Sequence, residues 1–190
     1  GDNQAFGWNA LYNNRGTGTR NVAIGNDSLY TNTTGGGNIA SGHDALYTND
    51  TSIRNVAIGE EALKFNVTDY NVAIGYQALY NSTASKNTAL GYQAGDVITT
   101  GENNICIGHN ADASSATASN EITLGDSGIT TFRIPGIGVT FGEGGADISG
   151  IVTAVSFSGS GANLTGIAAT AHVSTFDLVV AGISTFVGVA

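Results

Sequence analysis

A phrase of nine residues returns eight times between Gly1 and Gly125, timed by Gly7, Gly25, Gly42, Gly59, Gly75, Gly91, Gly108 and Gly125. The steps between these glycines are 18, 17, 17, 16, 16, 17 and 17 residues. A period this short and regular makes each repeat one supersecondary unit, too small to bury an apolar face alone and obliged to stack on its neighbours. A coil of 16 to 18 residues has no room for a helical hairpin, which needs roughly 30 residues or more. Nor does any window place apolar residues at the three-and-four spacing of an amphipathic helix over about 11 positions.

The clearest copies read NVAIGNDSL from Asn21, NVAIGEEAL from Asn55 and NVAIGYQAL from Asn71. Asn3, Asn38, Asn87 and Asn104 open looser versions, and EITLGDSGI at Glu121 has lost both the Asn and the Ala-Leu end. Within NVAIG, side chains alternate across a strand, so Val22 and Ile24 share one face and Ala23 takes the other. Asn before the strand and Gly after it tolerate left-handed backbone angles, and are read as corners bracketing each strand. The following segments, such as LYTNTT from Leu29 and LYTNDT from Leu46, are polar, rich in Thr and suited to turns. The predicted fold is all-β, a parallel β-solenoid of about eight coils over residues 1–126. Stacked at about 4.8 Å, eight coils would extend roughly 40 Å.

Residues 127–190 form a second region by composition. All six basic residues precede Pro135, and the last 55 residues carry only Glu143, Asp147 and Asp177 as charges. GITTF at Gly128, GIVTAVSF at Gly150, VSTF at Val173 and GISTF at Gly182 alternate Ser and Thr with Ile, Val and Phe, a strand pattern. The chain opens in mid-phrase and contains no Met, so it reads as a fragment of something longer. With 15 acidic against 6 basic residues, the net charge of −9 argues against a nucleic-acid partner, which requires clustered Lys and Arg. No run of 18 apolar residues offers a membrane span, and no signal peptide opens the chain. The lone Cys106 stands at the Ala position of its repeat strand, where a thiol serves as a small buried hydrophobe.

The residues also carry a resemblance. NxAIGxxAL resembles the repeats of bacteriophage tail-fibre and related virion proteins, and is similar to the head repeat of trimeric autotransporter adhesins, a left-handed parallel β-roll of three chains. FSGSGANLTGI from Phe157 to Ile167 resembles the F-G-G-LTGI segment of phage fibres, and GISTF resembles phrases of structural proteins from marine cyanobacterial phages. The resemblance implies a homotrimeric fibre or appendage on a virion surface that supports host attachment. Its partners would be further copies of itself, other virion proteins and a host-surface glycan. The trimer also has a physical motive, since a thin solenoid exposes an alternate apolar face that two more chains would cover. Two alternatives from other classes are a tailspike enzyme that depolymerises surface polysaccharide and a bacterial cell-surface trimeric adhesin.

Candidate site residues come from the column after each glycine, which holds Trp8, Asn26, His43, Glu60, Tyr76, Tyr92, His109 and Asp126. Trp8, Tyr76 and Tyr92 offer flat faces to sugar rings, with Asn9, Gln77 and Gln93 beside them as hydrogen-bonding partners; the alternative is plain solvated surface. His43 and His109 share that column without an HxH pair or a neighbouring Cys, so no metal and no cofactor is assigned. Glu60 and Glu61 point to opposite faces, the wrong arrangement for a carboxylate pair at one glycosidic bond, and no catalytic residue is assigned. Tyr12, Tyr30, Tyr47 and Tyr80 follow Leu in successive phrases and should stack as an aromatic column. Asn32, Asn49, Asn66, Asn81 and Asn163 fit the glycosylation pattern, yet recur because the turn recurs. The structural repeat residues are the eight glycines with Asn21, Asn38, Asn55, Asn71 and Asn87.

Overall fold

The structure, a computed structural model, describes residues 1–15, 17–134, 139–142 and 145–148. The chain divides into two compact units, Gly1–Asp147 and Ile148–Ala190. The strands expected at Gly150, Val173 and Gly182, and the FSGSGANLTGI segment, lie outside the described residues.

Each phrase contributes one strand of three residues: β1 Gln4–Phe6, β2 Val22–Ile24, β3 Ile39–Ser41, β4 Val56–Ile58, β5 Val72–Ile74, β6 Thr88–Leu90, β7 Ile105–Ile107 and β8 Ile122–Leu124. They pair in chain order as one parallel sheet of eight strands. The register is the sequence alignment itself, with Ala23 against Ala40, Ala57 against Ala73, and Ala89 against Cys106. The fold is therefore an all-β parallel solenoid, and because a coil runs from one strand to the next, eight strands close about seven turns. No helix occurs among the described residues. Beyond it, β9 Thr131–Ile134, β10 Val139–Gly142 and β11 Gly145–Ile148 make a separate three-stranded sheet in which β9 and β10 are antiparallel.

Alternation puts the alanines inside. Ala23, Ala40, Ala57, Ala73 and Ala89 are fully buried, and Cys106 continues them at 1% exposure. A second alanine ladder (Ala45, Ala62, Ala78, Ala94) and a leucine ladder (Leu29, Leu46, Leu63, Leu79) complete the apolar interior, all at 0% exposure. The leucines adopt φ of +50° to +51°, a conformation that costs an L-residue about 1–2 kcal/mol. Full burial of a leucine side chain returns about 1.5–3 kcal/mol, so packing wins by a narrow margin. In the sixth phrase Gly95 replaces that leucine, and buried Ile98 takes up the space; a Cβ on Gly95 would come within 3.4 Å of Ile98 Cδ1.

The repeat glycine has a steric cause. Gly75 sits at φ +136°, and a Cβ there would run into the Gly91 carbonyl of the next rung. The repeat Asn has a different role from the corner expected of it. The left-handed residue is the one before it, such as Arg54 (φ 57°) or Tyr70 (φ 63°), while the Asn itself is buried and wired through the stack. Asn71 N–H donates to Asn55 Oδ1 at 2.8 Å, Asn87 N–H to Asn71 Oδ1 at 2.9 Å, and Asn104 N–H to Asn87 Oδ1 at 2.9 Å. The side-chain amides satisfy carbonyls that would otherwise be orphaned inside, as Asn87 Nδ2 does for Gly101 O at 2.8 Å. A buried polar group is tolerated when so paired, and stacking similar coils lets each ladder Asn accept from the backbone of its neighbour's copy.

A second internal asparagine series, Asn32, Asn49 and Asn66, is also fully buried, with Asn49 Nδ2 donating to Asn32 Oδ1 at 3.1 Å. These three are structural and closed to glycosylation; Asn81 is exposed, and Asn163 lies outside the described residues. The tyrosine column forms over its first three members, Tyr12 to Tyr30 at 5.3 Å and Tyr30 to Tyr47 at 5.1 Å, with planes within 3°. It is interrupted by Lys64, and Tyr80 instead meets Phe65 edge-on at 5.0 Å.

Candidate functional site

Interior ladders hold the outward positions in strict register, so surface chemistry on this solenoid is set column by column. Two columns follow each glycine. The second of them is left-handed at Asn9, Asp27, Asp44, Glu61, Gln77 and Gln93, with φ of 50° to 59°, which turns the chain sharply and leaves the preceding residue projecting at the corner.

Of the proposed sugar-contacting residues, Trp8 is 74% exposed on the first rung, while Tyr76 and Tyr92 lie on the fifth and sixth. Four strand spacings, about 19 Å, separate Trp8 from Tyr76, so the structure brings the two tyrosines together and leaves the tryptophan apart. Tyr76 stacks on Tyr92 at 5.2 Å and 15°, and His109 continues the pile at 5.2 Å and 11°. Tyr92 is thus covered on both faces by neighbouring rings, and the pile presents ring edges to solvent. Gln93 Nε2 donates to Gln77 Oε1 at 3.0 Å, and Gln77 Nε2 donates to Glu61 Oε2 at 2.7 Å. Asn9 Nδ2 donates to Asp27 Oδ1 at 2.9 Å. All three amides therefore run along the stack as a polar ladder beside the rings.

Glu61 and Asp44 converge on one cation. Lys64 Nζ lies 2.6 Å from Glu61 Oε1 and 2.9 Å from Asp44 Oδ2. The hydrogen bonds from Lys64 and then Gln77 hold the Glu61 carboxyl below its ordinary range, and those same two carboxylates, Asp44 first, push the Lys64 ammonium well above its own. His43 stands 3.8 Å from Asp44 Oδ1, and one ligand atom each from Asp27, His43 and Asp44 lie within 4.8 Å of one another. Sequence reading did not single out this trio, because Asp27 and Asp44 share the second column on adjacent coils while His43 stands in the first; folding the period back on itself was the available signal. Asp27 already accepts from Asn9 and from Asn26 Nδ2 at 3.1 Å, and Asp44 from Lys64, so these carboxylates are spent on the ladder.

The remaining feature is the outer face of the sheet. Phe6, Ile24, Ile58, Leu90, Ile107 and Leu124 point outward at 39% to 79% exposure, with Ile74 in line at intermediate burial. A parallel row of Val22, Ile39, Val56, Val72 and Ile105 runs beside them. Two largely aliphatic columns thus lie side by side over the length of the solenoid, broken by Gln4, Ser41 and Thr88. No protein-family model, curated protein or solved structure matches this chain. No helix among the described residues is long and apolar enough to cross a membrane.

Proposed function

We propose that the chain is a structural fibre or appendage protein of a bacteriophage virion, assembled as a homotrimer and supporting host attachment. The observation that carries this reading is the uncovered aliphatic face. The interior of each coil is already filled by Ala, Leu and Asn ladders, so the outward Ile and Val columns have no partner among the described residues. An apolar strip this continuous marks an association surface on a soluble molecule. Copies of the same chain fit it best, because a second solenoid presents matching aliphatic columns at the same strand spacing over the same length. Three chains around an axis would bury the strip, and their summed charge, 3 × (−9) = −27 from the single-chain value, would oppose lateral aggregation. Host attachment itself rests on the resemblance to tail-fibre repeats and on the exposed Trp8 and Tyr76–Tyr92 ring groups.

Sedimentation equilibrium of the purified chain tests the assembly. The expected mass is about three times the 19.2 kDa of one chain, and the double substitution Ile58→Lys with Leu90→Lys is expected to yield a folded monomer. A native monomer with the strip intact would break the trimer reading.

A further inference from the structure

One exposed residue precedes each Asn of the internal ladder; on the second to sixth rungs that position reads Arg20, Gly37, Arg54, Tyr70 and Lys86, five positions followed by Asn103 on the seventh. Backbone angles are fixed along it, with φ of 57° to 70° at all five, so the side chains leave the solenoid in register. The chemistry alternates with a period of two rungs: cation, no side chain, cation, aromatic ring, cation. Three of the six basic residues of a chain with net charge −9 fall on this one line.

In so acidic a protein these cations should be neutralised, yet no acidic group among the described residues pairs with them. The ion pairs among the described residues involve Lys64, His43 and His109, and none reaches Arg20, Arg54 or Lys86. Asp69, one position before Tyr70, instead turns a carboxylate oxygen to the Ile53 N–H at 2.8 Å. Arg54 is held in place by its neighbour: the guanidinium lies 5.6 Å from the Tyr70 ring centroid, and Nη1 donates to the Tyr70 hydroxyl at 2.8 Å. Between Arg20 and Arg54 opens a cleft of about 200 Å³, lined by Thr19, Arg20, Gly36, Gly37, Ile53 and Arg54. A Cβ on Gly37 would meet only Arg54 Cγ at 3.7 Å. The notch therefore exists because a side chain is missing there, not because the fold forbids one.

We propose that this column binds a linear acidic polysaccharide carrying one anionic group per disaccharide. The cations stand two rungs apart, about 10 Å at a strand spacing of about 4.8 Å, which is about the advance of one disaccharide in an extended chain. Carboxylate or sulfate groups meet Arg20, Arg54 and Lys86 in turn, the arginines offering a planar fork. The intervening neutral sugars lie over the Gly37 notch and against the Tyr70 ring, which is 46% exposed. A nucleic acid places a charge at every nucleotide and does not match this alternation. The proposal gives the surface-attachment reading a ligand class, and every residue it uses lies on one chain whatever the assembly.

Calorimetric titration of the purified chain with hyaluronan oligosaccharides, which carry one carboxylate per disaccharide, tests it, with neutral dextran oligosaccharides in parallel. Saturable hyaluronan binding that weakens with added salt is expected, with none to dextran. Arg54→Gln should lower the affinity about tenfold or more, the scale of a lost charge-assisted hydrogen bond. Gly37→Asp, which sets a carboxylate in the notch, should abolish it. Both variants should keep the wild-type circular dichroism, since the same backbone angle already carries Arg, Tyr and Lys; Gly37→Asp should melt a few degrees lower, because a side chain at this left-handed angle is strained. Equal binding of dextran, no binding of hyaluronan, or full affinity in either variant overturns the proposal. Sedimentation of the same samples reads the assembly separately, so a monomer that binds hyaluronan breaks the trimer and keeps the site.

Discussion

The two faces of the eight-stranded sheet are cut from the same three-residue strands, yet they obey opposite rules. The inner face carries Ala at nearly every rung and is closed from Ala23 to Cys106; the outer face carries Ile, Val and Leu and is open. Burial here is decided by volume before hydrophobicity. A coil of 16 to 18 residues encloses so little space that the larger aliphatic side chain is the one turned out. Beneath the strands the interior is filled by the alanines, the leucine ladder from the far side of the coil and paired amides, and the strands' own large aliphatics are left for association.

The strongest way to break this comparison is to move an outer residue inside. Ala73→Ile sets a bulky side chain between Ala57 and Ala89, directly above and below it in the ladder, and should cost about 3 kcal/mol in denaturant unfolding, at the upper end for overpacking. Loss of less than about 1 kcal/mol would mean the interior has slack and volume does not choose the face. Asn71→Ala probes the polar half of the same interior. It strips the Asn87 amide of its acceptor and should destabilise by about 2 kcal/mol or more, the cost of a buried unsatisfied group. By contrast, Ile58→Thr on the outer face should change monomer stability by less than about 1 kcal/mol while weakening the assembly seen in sedimentation.

Two smaller effects sharpen the contrast chemically. Burial pushes the Cys106 thiol up to about 11, with the charge of Asp112 adding to it. In the folded state it should resist thiol reagents at mildly alkaline pH, and it should react at once on denaturation; rapid labelling of native protein would place it on the wrong face. On the surface, Glu61 is held below its unfolded value chiefly by Lys64. Its contribution to stability is therefore complete above the ordinary carboxylate range and is lost as pH falls through the folded value. Glu61→Gln should flatten the acid limb of the stability curve by under about 1 kcal/mol, read by urea titrations across pH.

Much of the fold was legible in the chain. The spacing of Gly7 through Gly125 set the coil, and the alternation in NVAIG set the strand, because stacking copies a local pattern without rearranging it. The repeat Asn was legible as a fixed position but not in its role. A turn and an internal hydrogen-bond ladder demand the same residue, and only coordinates tell which group the amide faces. Gly95 with Ile98 shows the same limit: a leucine lost at one position is replaced three residues later, a substitution visible only once both are seen to fill one space. The candidate surface was partly legible too. Tyr76 and Tyr92 share a column in sequence and stack in space, whereas Trp8 shares the column and stands alone, since common register does not mean proximity along the stack.

Sequence by itself determined the period, the strand positions and the parallel in-register pairing, all of which follow from each short coil needing an identical neighbour to satisfy its backbone. Tertiary structure decided which face closes, where the asparagines point, and that Arg20, Arg54 and Lys86 share one column with no ion pair among the described residues, the two arginines flanking an open notch. Those depend on the volume inside one coil and on distances between residues far apart in the chain, quantities that a repeat pattern does not contain.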